Sequence, residues 1–135
     1  MPNAPTAERI LVDTSVWVDF FRNQPAAVAL VGELAEGHRA VVCGTVLQET
    51  LQGAKTEKEL TFLRTQMSLW HFEPEQPEDF AAAASFYAHL RWQGMTVPPP
   101  DCLIAAVATR NNLMLCSPDG HFARMPGLMF HRLNP

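Results

Sequence analysis

Four acids in this chain, Asp13, Glu49, Asp101 and Asp119, stand beside apolar runs rather than among other charges. Asp13 ends the run Arg9-Ile10-Leu11-Val12, and Asp119 shortly follows Leu113-Met114-Leu115-Cys116. Asp101 heads a stretch that is apolar from Leu103 to Ala108, and Glu49 is flanked by Val46, Leu47 and Leu51. Carboxylates brought together resist joint ionisation unless a cation compensates them. An all-oxygen donor set suits Mg²⁺ or Mn²⁺, which accept one or two carboxylates and keep several waters. Such an ion activates water and stabilises charge on a phosphoryl oxygen, so the chemistry within reach is metal-assisted hydrolysis of a phosphodiester. Each acid also has a plainer reading. Asp13 and Asp101 are good helix N-caps, Asp119 lies in the turn sequence Pro118-Asp119-Gly120, and Glu49 alone reads as a solvated helix residue.

The elements that must position these acids follow from hydrophobic periodicity. Short apolar runs at 9–13, 40–43 and 113–116 read as buried strands, with 71–73 a short edge strand and 129–131 a last one. Between them, helical spacing predicts helices over 16–22, 26–36, 45–51, 58–70, 80–92 and 101–111. Thr14-Ser15 is expected to cap the first of these, and Pro25 and Gly37 to bracket the second. The run Val97-Pro98-Pro99-Pro100 reads as a stiff linker before a helix that is apolar nearly all round and therefore buried. Alternating strands and helices predict an α/β domain with a mainly parallel central sheet of four to five strands flanked by helices. In open sheets of this kind, ligand crevices form at the carboxyl ends of strands, where Asp13 and Asp119 fall.

Composition sets the bounds. A chain of 135 residues, 47% hydrophobic and 18% charged, suits one globular domain with a real core. Residues 1–8 read as a flexible polar tail without the basic-then-apolar pattern of a secretory signal, leaving 9–135 as the domain. No run approaches the ~18 apolar residues of a membrane helix, so no membrane partner is expected. Cys43, Cys102 and Cys116 form no CxxC pair, which argues against a disulfide scaffold or zinc site and fits a reducing cytoplasm. The net charge of −4 disfavours nucleic acid, yet setting the four acids aside leaves ten acids against ten bases. The bases Arg22, Arg64, Arg91, Arg110, Arg124, Lys55 and Lys58 are scattered candidates for contacts to a polyanion.

Four strings, in order, carry a resemblance. Leu11-Val12-Asp13-Thr14-Ser15-Val16-Trp17-Val18-Asp19-Phe20, Val46-Leu47-Gln48-Glu49, Asp101-Cys102-Leu103-Ile104-Ala105-Ala106 and Ser117-Pro118-Asp119-Gly120-His121-Phe122 resemble PIN-domain proteins, and most of all VapC-type toxins of bacterial toxin–antitoxin pairs. The likeness runs from about Arg9 to Arg132. It implies a single α/β/α PIN-like domain, Mg²⁺ or Mn²⁺ dependence, and cleavage of RNA in single-stranded regions. It also implies a homodimer and a cognate antitoxin that blocks the site. It carries the metal-ligand role to Asp13, Glu49 and Asp101 and the fourth acidic position to Asp119, and it makes Ser117 a supporting hydroxyl. Ser15 and His121 are further supporting candidates. Two positions depart from the family pattern: His121 stands where a second aspartate is common, and Pro100 where Thr or Ser often precedes the aspartate. Trp17, Phe20 and Phe21 offer either core packing or an apolar groove for an antitoxin helix.

Rival readings are a PIN-like module that binds RNA or protein without cutting, a phospho-acceptor α/β protein, and an interaction module with no site. The second needs a phosphate-pairing lysine after a strand, and Lys55 and Lys58, the only lysines, follow none of those expected.

Overall fold

The computed structural model describes residues 8–134, so the expected tail lies outside the described residues except for Glu8. Among the described residues, five strands are interspersed with six α-helices. Strand β1 (Ile10–Val12) is followed by α1 (Thr14–Phe21) and α2 (Pro25–Glu36); β2 (Ala40–Cys43) by α3 (Gly44–Leu51) and α4 (Glu57–Met67). Strand β3 (His71–Glu73) leads into α5 (Pro77–Trp92) and α6 (Pro99–Arg110); β4 (Met114–Ser117) leads through a short 3₁₀ turn (Gly120–Arg124) to β5 (Met129–Arg132).

The sheet order is β3-β2-β1-β4-β5 and every pairing is parallel. Successive strand residues point to opposite faces, and Ile10, Leu11 and Val12 have no exposed surface at all. Both faces of the sheet are therefore covered, as the α/β/α expectation requires. From β1 the chain winds outward to β2 and β3, then crosses back to place β4 on the other side of β1. That reversal makes β1 and β4 the switch point of the sheet, and a crevice opens at their carboxyl ends. The register Val12↔Cys116 and the bond from the Asp13 amide to the Cys116 carbonyl (3.0 Å) bring the ends of the two strands level.

Some expected boundaries shift for physical reasons. Pro99 and Pro100 are not linker but the first two residues of α6; first-turn amides have no intrahelical acceptor, so proline loses nothing there. Asp101 thus lies within the first turn, with its amide bonded to the Pro98 carbonyl (3.0 Å). Helix α5 begins at Pro77 rather than near residue 80, because the Asp79 carboxylate accepts from the Gln76 amide (2.8 Å) and closes the first turn. Helix α4 stops at Met67, short of the expected Trp70, and its N-cap Thr56 accepts from the Glu59 amide (3.1 Å). Trp17 is fully buried and packs on Trp70 at 5.2 Å between ring centroids, so it belongs to the core and to no groove. Cys43, Cys102 and Cys116 are free and buried, behaving as small apolar side chains, and burial pushes the Cys43 and Cys116 thiols up to about 12.

Helices α5 and α6 pack along most of their length, and one ion pair pins them. Arg110 donates from Nε to Asp79 Oδ1 (2.8 Å) and from Nη2 to Asp79 Oδ2 (2.9 Å) and the Pro74 carbonyl (3.0 Å). Arg110 is thereby committed to the fold and is not free to contact a polyanion. Asp79 is 1% exposed, so loss of its partner would strand a buried charge. Arg110→Met is expected to cost about 3 kcal/mol, read as a lowered urea midpoint with an unchanged m-value.

Candidate active site

Asp13 occupies the N-cap position of α1, but its side chain makes no cap bond. Instead its Oδ2 accepts from the Ser15 hydroxyl (2.9 Å) and the Ser117 hydroxyl (2.8 Å). Ser117 lies at the end of β4 with no exposure, and its Oγ also accepts from the Asp119 amide (3.1 Å). Two hydroxyls thus fix a carboxylate that is only 6% exposed and, among the described residues, makes no ion pair. The capping reading of Asp13 fails, because its acceptors turn into the crevice rather than along the helix.

Glu49 sits on α3, and its Oε1 accepts from the Thr14 hydroxyl (2.8 Å). Thr14 and Ser15, expected as helix caps, therefore serve Glu49 and Asp13 instead. The N-terminus of α3 has no cap of its own, since the N-cap residue is Cys43. Glu75, from the loop after β3, supplies one across the chain. It accepts from the Gly44 amide (2.9 Å), the Thr45 amide (2.7 Å) and the Thr45 hydroxyl (2.6 Å). A carboxylate at a helix N-terminus is favoured by both the unpaired amides and the helix dipole. Burial opposes the ionisation of Glu75, yet the Thr45 and Gly44 donors hold its carboxyl below the usual range. A Cβ on Gly44 would lie 2.6 Å from Glu75 Oε1, so glycine leaves the space in which this carboxylate docks.

Asp101 and Asp119 face His121 from opposite sides. His121 Nδ1 is 2.8 Å from Asp119 Oδ1, and Nε2 is 3.0 Å from Asp101 Oδ2. Asp119 also accepts from the His121 amide (3.1 Å), so the turn expected at Pro118-Asp119-Gly120 exists and serves the site as well. Arg132, on β5, lies against Gly120 and donates from Nε to the Pro118 carbonyl (3.2 Å), placing a cation at the rim.

Asp13, Thr14, Ser15, Glu49, Asp101, Pro118 and Asp119 line one cleft of about 520 Å³ at the carboxyl edge of β1 and β4. All four acids singled out from the sequence reach it. Among the described residues, the side-chain donors that converge within 4.8 Å of one another are those of Asp101, Asp119 and His121. Asp13 and Glu49 line the same cleft outside that group. Partial burial and the Asp13 charge, with smaller contributions from Glu49 and Asp119, push the Asp101 carboxyl up to about 6, while His121 pulls the other way. The site therefore holds more negative charge than its protein surroundings neutralise. Hard carboxylate oxygens in a charge-frustrated cleft fit a divalent cation. Neither Lys55 nor Lys58 lines the cleft, which removes the lysine a phospho-acceptor mechanism needs.

Thr14 and Glu75 are the residues sequence reasoning undervalued. Thr14 adjoins Asp13 within the first motif, so its role could have been sought there. Glu75 gave no signal, because its partners lie thirty residues away and it stands in an acid-rich loop between prolines.

Two outcomes follow from these contacts. Glu75→Ala and Gly44→Ala should each cost about 1–2 kcal/mol, the usual worth of a helix cap. The double variant should cost little more than either single one in urea unfolding, because both lose the same cap. The raised Asp101 carboxyl binds its proton more tightly in the folded than in the unfolded chain. With chelator present, its stabilisation is complete below the unfolded value of about 4 and lost as pH rises through about 6. In Asp101→Asn that decline in unfolding free energy should flatten, by on the order of 1 kcal/mol after solvent screening.

Comparison with known proteins places this geometry. The PIN domain family matches residues 10–128. A VapC ribonuclease of Mycobacterium bovis and the ribonuclease VapC11 of Mycobacterium tuberculosis are each 37% identical to the chain over 118 residues, covering 84% of it and 88% of the relative. Among solved structures, DNA-bound VapBC from Salmonella typhimurium superposes with a TM-score of 0.81 at 20% identity, covering 95% of this chain and 100% of the other. VapBC-5 of Mycobacterium tuberculosis, a member of the VapBC family of toxin–antitoxin systems, gives 0.67 at 20% identity, covering 93% and 99%. The chain belongs to the PIN-domain family, among its VapC ribonucleases.

Proposed function

We propose that this protein is a divalent-metal-dependent endoribonuclease that cuts single-stranded regions of RNA and acts as the toxin of a toxin–antitoxin pair. The observation that carries the reading is the single cleft where Asp13, Glu49, Asp101 and Asp119 meet at the switch point of the sheet. Asp13, Glu49 and Asp101 would hold the cation, Mg²⁺ or Mn²⁺, with Asp119 completing the negative pocket. When bound, the cation supplies Lewis acidity to the scissile phosphate and activates water for its hydrolysis.

The remaining work is done by the protein. Ser15 and Ser117 hold Asp13 in one orientation, and Thr14 does the same for Glu49. A preset donor geometry spares reorganisation at the moment of reaction. The neutral balance of the surface outside the site lowers the barrier to a polyanion, and Arg132 provides a rim contact for a phosphate. A flexible single strand can bring a phosphate into this cleft more readily than a stiff duplex. A water nucleophile, rather than the ribose 2′-hydroxyl, leaves 5′-phosphate and 3′-hydroxyl ends.

Partners have two candidate surfaces. Phe21 is half-buried and packs on Phe62 at 6.2 Å, and Phe62 is 53% exposed, which suits the apolar face of an antitoxin helix. A second groove of about 630 Å³ between α3, α5 and α6, lined by Phe80, Tyr87 and Leu103, suits a second copy of the chain. Among the described residues no helix is long and apolar enough to cross a membrane, and the three buried thiols suit the reducing cytoplasm we assign.

Purified protein with Mn²⁺ should cut unstructured RNA, and chelator should stop it. Asp13→Asn should lower the rate by at least about 100-fold, in line with losses at metal sites. Products bearing 2′,3′-cyclic phosphates would overturn the mechanism. Equal cleavage by wild type and Asp13→Asn would indicate a contaminating nuclease and favour the alternative, a PIN-like binding module that does not itself cut.

A further inference from the structure

His121 lies 2.8 Å from Asp119 and 3.0 Å from Asp101, but its two ring nitrogens are not in equivalent positions. Nδ1 faces Asp119 Oδ1, an acceptor already fixed by the His121 amide (3.1 Å). Asp119 is therefore placed to hold the ring through Nδ1, as carboxylates do for histidines that ligate a metal through the other nitrogen. Nε2 has no exposed surface and makes no hydrogen bond, although Asp101 Oδ2 is 3.0 Å away. Nε2 and Asp101 Oδ2 thus stand as neighbouring donors without an aligned hydrogen bond between them, and together with Asp119 they converge closely enough to share one cation. The spacing is informative. Two ligands at about 2.1 Å from an octahedral ion stand about 3.0 Å apart along an edge.

We propose that His121 is a nitrogen ligand of the divalent cation through Nε2, beside Asp101, with Asp119 orienting the ring through Nδ1. This rests on the reading of the cleft as a cation site and redraws the donor set within it. Asp119 then acts chiefly through His121, in the manner of the carboxylates that steer metal-bound histidines. An imidazole in the donor set favours Mn²⁺ and later divalent ions over Mg²⁺, which prefers oxygen alone. His121 thus determines which cation the site selects.

Electron spin-echo envelope modulation of Mn²⁺ bound to the full chain tests this without recourse to activity. The expected result is a ¹⁴N coupling typical of a directly ligated imidazole, lost when the protein carries ¹⁵N-histidine and lost again in His121→Gln. In Asp119→Asn the coupling should persist while Mn²⁺ binds more weakly. Calorimetric titrations complete the test. Wild type should prefer Mn²⁺ over Mg²⁺, and His121→Asp should lower that preference by about tenfold, its fold checked by circular dichroism in chelator. Mn²⁺ bound with no ¹⁴N coupling would overturn the role of His121 and leave the cation site standing. An unchanged Mn²⁺ to Mg²⁺ ratio in folded His121→Asp would overturn it equally. No Mn²⁺ binding to wild type would overturn the cation site itself.

Discussion

Mutual repulsion among carboxylates at one edge of the sheet is the constraint around which the molecule is built. Asp13 is almost sealed from water, and Asp101 is held up to about 6 largely by burial and by Asp13. Left to relax, such groups would swing apart or take up protons. Here each is tethered by neutral donors or by the histidine. Ser15 and Ser117 grip Asp13, Thr14 grips Glu49, and His121 stands between Asp101 and Asp119. Hydroxyls position a carboxylate without neutralising it, so the charge remains available to a cation.

The acids outside the cleft are treated differently. Asp79 is paired with Arg110 through two short bonds, and Glu75 has its charge met by the amides and hydroxyl of a helix N-terminus. Both contacts fix helices that bear site residues, α6 with Asp101 and α3 with Glu49. Satisfied acids brace the frame, and unsatisfied acids gather in the cleft. That division explains why a chain with a net charge of −4 can be both stable and locally frustrated.

How much of this could be read from the sequence depended on range. The strand ends at Asp13 and Asp119 were legible, because each is an apolar run broken by polar residues, and those runs are local. The parallel sheet followed from the alternation of strands and helices, and the structure bears it out with five strands. The prolines before Asp101 misled, since their ring geometry suits a linker and a first helical turn alike, and only the position of the next amide acceptor decides. Trp17 was equally ambiguous, because helical spacing shows which face is apolar without showing what covers it. Glu75 was invisible, since a cap supplied from thirty residues away has no local pattern. His121 was legible as a departure from the family pattern and as a supporting candidate; its two-sided contact with Asp101 and Asp119 needed three-dimensional geometry to appear.

The place of β4 in the sheet has a consequence for the timing of synthesis. This strand pairs with the central β1, yet it is synthesised after β2 and β3. Ser117, which grips Asp13, comes 104 residues after it, and Asp119 and His121 come later still. A nascent chain that has folded its first three strands therefore lacks half of the acidic cleft. Fragments released by premature termination before this point carry no complete site. A chain halted before β4 lacks the strand that closes the cleft beside β1.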